Sequence, residues 1–135
     1  MNKSPHFNPK LVSIAESQLA KFGRETPGIA LAVLSSSDGF EVASFHAERN
    51  VSAKIAAMSS SLQALSEAIT HEAGLHGARK LIIETESGCV LSIAVAESNP
   101  PLSLLAVADR TASLGHLIWS AKIFCTSVRR AIEAT

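Results

Sequence analysis

Between Lys80 and Asp109 the chain carries three short apolar runs in succession, KLIIET, CVLSIAV and LSLLAVA. Glu86-Ser87-Gly88 separates the first two, and Ser98-Asn99-Pro100-Pro101 separates the second from the third. Runs this short, bounded by turn-forming residues, predict three consecutive strands of a meander. A related pattern lies upstream, where IALAVLSS, the turn formers Ser36-Ser37-Asp38-Gly39 and FEVASF predict a hairpin. Strands joined through short turns pair antiparallel, so these five commit the chain to an antiparallel sheet whose apolar faces must be covered.

Three helical segments are available as cover. Asn8 is a good cap before Pro9, and Leu11, Ile14, Ala15, Leu19 and Phe22 then recur at helical spacing, which predicts a first helix ending near Gly23. A stretch without Gly or Pro from about Ser52 to Ala73 predicts the second, broken by Gly74 and Gly77. From Leu114 onward, Leu117, Ile118, Ala121, Phe124, Cys125, Val128 and Ile132 predict the third. The expected order is α-β-β-α-β-β-β-α, an α/β (α+β) domain spanning 9–135 after a flexible N-terminus, 1–8. With 47% hydrophobic and 18% charged residues over a length of 135, the chain has enough apolar material for one core.

Two of the helices carry more than one apolar face. On the second, Ile55, Met58, Leu62, Leu65 and Ile69 form one stripe, the face expected to lie on the sheet, and Ala57, Ser61, Ala64 and Ala68 form a row about 110° away at 100° per residue. A row of small side chains either lets another backbone come close or simply fills a solvated face with good helix formers. On the third helix, Trp119 and Ile123 project away from the main stripe, near His116 and Arg130. They either pack against the first helix or a loop, or they stand exposed as anchors for a partner, since Trp and Arg are enriched at interaction hot spots.

The sequence argues against several classes of function. Twelve basic residues balance twelve acidic ones, and no cationic cluster exceeds Arg129-Arg130, so no footprint for nucleic acid exists. The start, MNKSPHFNPK, has no hydrophobic signal core, and no stretch approaches the roughly 18 apolar residues of a membrane span, so a cytoplasmic protein is expected. Cys89 and Cys125 form no CxxC pair and read as small buried apolar residues. His71-Glu72 and His76 do not have the zinc-protease spacing, because the histidines are five apart with Gly74 between them. GxxxxGK[ST], GxGxxG and GxSxG are all absent, and Glu84 and Glu86 read as solvated carboxylates at a strand end and its turn. Neither a catalytic residue nor a metal or cofactor is expected, and the chain reads as a non-enzyme.

In their order and spacing, GIALAVLSSSDGFEVASF, the Ala/Ser/Leu-rich second helix, KLIIETESGCVLSIAV and LSLLAVADRTASLGHL resemble the roadblock/dynein light chain family, including bacterial members found with small Ras-like GTPases. The resemblance spans roughly Pro27 to Ile132. It implies a profilin-like sheet of five antiparallel strands with the second helix on one face and the terminal helices on the other. It also implies a homodimer, pairing through second helices and third strands, with Ala57, Ser61, Ala64, Ala68, Leu81, Ile82 and Ile83 near the two-fold axis. The activity it implies is to scaffold or regulate a small Ras-like GTPase or related signalling protein by contact. Alternatives are a structural adaptor subunit of a larger assembly without a GTPase partner, and a small-ligand sensor. Trp119, Ile123 and Arg130 are the candidate partner contacts.

Overall fold

In a computed structural model describing residues 7–134, the first helix begins at its expected cap. The Asn8 side chain accepts a hydrogen bond from the Lys10 N–H at 2.8 Å, and Pro9 occupies the first turn of α1 (Pro9–Glu25). Most of the segment expected to be flexible, 1–8, lies outside the described residues, while Phe7 packs against the core. The helix runs past Gly23, its expected end. A methyl group at Gly23 would strike the Phe45 ring, so this glycine marks a close contact between α1 and the hairpin.

That hairpin consists of β1 (Ile29–Ser36) and β2 (Glu41–Phe45), turned at Gly39 with φ 93°. The chain then forms α2 (Arg49–Glu72), which starts three residues before its expected position, and the meander β3 (Lys80–Glu84), β4 (Gly88–Val95) and β5 (Leu102–Asp109). It closes with α3 (Leu114–Glu133), where the Ser113 side chain accepts from the His116 N–H at 3.3 Å. All strand pairs are antiparallel in the order β2-β1-β5-β4-β3, so β5 returns beside β1 and leaves β2 and β3 at the edges.

Register separates the two faces of this sheet. Ala32, Ala106, Leu91 and Ile82 are aligned across it, as are Leu34, Leu104 and Ile93, and these rows face α1 and α3. Leu11, Ala15, Leu19 and Phe22 from α1, and Leu117, Ala121, Phe124 and Val128 from α3, complete one buried cluster with them. The Phe22 and Phe124 rings pack with centroids 5.7 Å apart, a spacing typical of favourable aromatic pairs. Cys125 belongs to this cluster, and burial pushes its thiol up to about 12. Cys89 is only half-buried, short of the full burial expected for it.

The opposite face is more polar. Ser35 and Ser103 are aligned on it, as are Val33, Leu105, Ser92 and Leu81. α2 lies over the β1, β2 and β5 side, bonded through hydroxyls: Ser52 Oγ donates to the buried Glu41 Oε1 at 2.7 Å, and Gln63 Nε2 donates to Ser92 Oγ at 2.8 Å. Ser59 and Ser103 meet at 3.5 Å between their Oγ atoms, and Ser35 Oγ is buried without a partner among the described residues. The fully buried residues of α2 are Ser52, Ala56 and Ser59. The stripe expected on the sheet is therefore displaced: Ile55 and Leu62 sit half-buried on a flank, and Met58, Leu65 and Ile69 face outward. Small hydroxyl-bearing strand residues form the bed of this helix, and polar helix residues reach two of them, Ser92 and Ser103.

Ser52→Ala leaves the buried Glu41 carboxylate without its hydroxyl donor and is expected to lower the unfolding free energy by about 1–3 kcal/mol in urea titrations. Ser61→Ala, on the exposed side of the same helix, is expected to change it by no more than about 0.5 kcal/mol. In thiol labelling at pH 8, Cys125 is expected to react only after denaturant is added, because its buried thiol stays protonated up to about 12.

Candidate protein interaction surface

The hydroxyl seam sets the rotation of α2 about its own axis, and with it what the helix presents. One flank abuts the β1–β2 turn, where Ser60 Oγ donates to the Ser37 carbonyl at 2.7 Å and Gly39 lies against Ser60 and Ala57. The other flank carries the apolar stripe toward β4 and β3, the part of this sheet face that α2 leaves open. Met58, Leu65 and Ile69 are 60%, 58% and 61% exposed. Below them, Val90, Val107 and Leu81 are half-buried and Ile83 is 42% exposed. Apolar side chains are thus left exposed on the helix and on the neighbouring strands of this face.

This face ends at an open strand edge. β3 pairs only with β4, so one row of its backbone N–H and C=O groups has no strand partner among the described residues. Of the edge residues singled out from sequence, Leu81 and Ile83 point to the α2 face, and Ile82 points to the other face and packs against the core. Exposed Lys80 and Glu84 stand at the two ends of the strand. Ala57, Ser61, Ala64 and Ala68 are all exposed, on the side of α2 turned away from the sheet. The small row thus lies on the outer side of α2, which packs on β1, β2 and β5, and the β3 residues lie at the open edge of the sheet.

Trp119, Ile123 and Arg130 lie elsewhere, on α3 across the sheet from α2. Trp119 is 61% exposed beside the His116 ring, at a centroid distance of 5.9 Å, and Ile123 is 43% exposed. Glu84 and Glu86 are solvated. Asp109 is held below the usual carboxylate range by hydrogen bonds from the Thr111 side chain and backbone, which belong to the exposed turn after β5. Among the described residues, no group of His, Cys, Asp and Glu is placed to hold a metal ion, and no helix is long and apolar enough to cross a membrane.

Sequence reasoning passes over Met58, Leu65 and Ile69 as surface residues because the most apolar stripe of a helix ordinarily faces its sheet. The corrective signal is in the strands, where Ser35, Ser92 and Ser103 interrupt otherwise apolar runs and all fall on one face.

Solved structures with this architecture include MglB of Thermus thermophilus, named there a gliding protein, at 20% identity over all of both chains and a TM-score of 0.82. A Roadblock/LC7 domain from Streptomyces avermitilis is also 20% identical, with 87% of this chain and 97% of that one covered and a TM-score of 0.78. Myxococcus xanthus MglB is 12% identical over 99% of this chain and 95% of its own, with a TM-score of 0.73. No curated protein matches the sequence. The family model for the Roadblock/LC7 domain matches residues 16–108, and it is to this family that the chain belongs.

Proposed function

We propose that the chain acts as a homodimeric, non-enzymatic regulator or scaffold whose partner is a small Ras-like GTPase or a related signalling protein of the cytoplasm. The observation that carries this reading is the outward apolar stripe of α2, together with the open edge of β3. A second copy has the matching features. Two β3 strands paired antiparallel about Ile82 would set Lys80 of each copy against Glu84 of the other, opposite charges at both ends of the ladder. In this arrangement Leu81 and Ile83 join the apolar contact through their side chains, and Ile82 joins through its backbone. Met58, Leu65 and Ile69 supply the buried area, and Ala57, Ser61, Ala64 and Ala68 let the helix of the second copy approach closely.

Similarity to MglB, a protein named for gliding, supports a role in a signalling or motility assembly. Contact is the means of action: a dimer that holds one conformation of a GTPase switch more tightly than another shifts its nucleotide cycle by that difference in affinity. Arg49, Arg79 and Arg110 are cations of this chain, and none is assigned the role of an arginine finger.

Light scattering at micromolar concentration is expected to give twice the 14.2 kDa chain mass for the wild type and a single mass for Leu65→Asp, which places a charge in the apolar contact. Ala64→Arg is expected to do the same by steric block. A wild-type monomer at that concentration would defeat the dimer. Capture from native lysate with GDP and with a non-hydrolysable GTP analogue then tests the partner: recovery of a GTPase that depends on the nucleotide is expected, and recovery of none removes the regulatory role.

A further inference from the structure

α2 is fastened to the sheet over only part of its length. Its buried residues, Ser52, Ala56 and Ser59, all lie in its first half, and its last hydrogen bond to the sheet among the described residues is the one from Gln63 to Ser92. From Ala64 through the end of the helix and along the connection to Arg79, Ser66, Thr70 and Ala78 are half-buried and every other residue is exposed. The inward side of this arm is therefore polar, with Ser66 and Thr70 one turn apart, while Leu65 and Ile69 point away from the chain's own sheet. The end of the helix shows the same imbalance. The Leu75 N–H donates to the Thr70 carbonyl at 2.9 Å and the Gly74 N–H to the His71 carbonyl at 3.0 Å, with Gly74 at φ 79°, a closure that ordinarily packs the residue after the glycine on an apolar neighbour in the last turn. Here that pair is Leu75 and Ile69, and they are 65% and 61% exposed. The sequence gives the arm little helical support of its own: no Lys or Arg occurs between Lys54 and Arg79 to form ion pairs along it, Glu72 sits beside His71 at the negative end of the helix dipole, and Ser66, Ile69 and Thr70 are weak helix formers. Helices in proteins are held mainly by packing their apolar face, and in this arm that face is turned to water.

We propose that the segment 64–79 is a conditional arm, folded by a second copy of this chain and unfolded in the free protomer, where it hangs between fixed points at Gln63 and β3. The inference rests on the dimer proposed above for α2 and β3, and it adds how that dimer is regulated. A second copy is the occupant because Leu65 and Ile69 belong to the α2 stripe and the arm leads directly into β3, whose open edge accepts the same strand of another copy. Covering Leu65, Ile69 and Leu75 supplies the free energy that keeps the arm helical, so its folding is coupled to association. Part of the contact energy goes into ordering the arm, and the dimer dissociates more readily than its apolar area alone suggests. Ala64 and Ala68 take their places on the outer side of α2 only in the dimer, so a partner that recognises this side distinguishes the dimer from the protomer. β3 is not part of the arm, since its pairing with β4 holds it in either state, and it remains the edge at which two copies first meet.

Hydrogen exchange of the full chain, read by mass spectrometry over a dilution series, tests this. Light scattering first fixes the concentrations at which the chain is dimeric and monomeric. Across that transition the amides from Leu65 to Arg79 are expected to exchange at least roughly tenfold faster in the protomer, while those of β1 and β5 keep their protection. Ile83→Asp, which places a charge on the β3 edge outside the arm, is expected to give the protomer pattern at every concentration, and dilution of the wild type supplies the same reading should this variant fail to fold. Ser66→Ala combined with Thr70→Ala, on the inward side of the arm, raises helix propensity without touching the contact and is expected to tighten the dimer on the order of tenfold. A helix already formed in the protomer would leave that affinity unchanged. Equal protection of the arm in protomer and dimer, or an unchanged affinity for the alanine pair, overturns the conditional arm and leaves the dimer standing. A wild type that is monomeric at every concentration removes both.

Discussion

A seam of hydroxyl groups holds α2 on the sheet, and the character of both faces follows from it. Ser52, Ser59 and Gln63 meet Glu41, Ser103 and Ser92 across the seam, and Ala56 fills the space between. Each such bond exchanges a contact with water for a contact with protein, so its net contribution is only about 0.5–1.5 kcal/mol. The seam therefore contributes direction more than stability. Hydroxyls bond only when the helix sits at one rotation about its axis, and that rotation carries Met58, Leu65 and Ile69 outward.

Stability resides mainly on the opposite face. There α1 and α3 bury Leu19, Phe22, Leu117 and Phe124 against Leu34, Leu91 and Leu104 in a continuous apolar cluster of the kind that dominates folding energetics. With the core built on that side, the α2 side is free to carry surface that one chain alone does not bury. The relation to the MglB structures fits this division, because a core specified by apolar pattern and volume keeps its shape through extensive substitution, as 20% identity at a TM-score of 0.82 requires.

Much of this architecture is legible in the amino acids. The strands announce themselves by length and by their turns, the helices by period, and the cap Asn8 by side-chain chemistry. Hydrophobicity weighed on the helix alone misreads the facing of α2. Its bed is assembled from serines on three different strands, and they become neighbours only through the pairing of β1, β5 and β4. The start of α2 escapes notice for a local reason: Glu48, at its cap position, makes no side-chain capping bond, so no residue type signals the first turn. Gly23 looks like a helix stop and is a notch for Phe45, a role visible only in three dimensions. Trp119 stands out in the sequence, and the fold leaves it 61% exposed beside His116.

A helix fastened by small hydroxyls makes modest demands on the shape of its neighbours. Branched side chains interlock, so altering one disturbs the next; the seam touches through a few separate polar contacts of 2.7–3.5 Å around one alanine. The outer surface of α2 can consequently be rewritten by mutation without retuning the bed beneath it. A scaffold with that property can acquire new binding preferences while its folding remains governed by residues on the far side of the sheet.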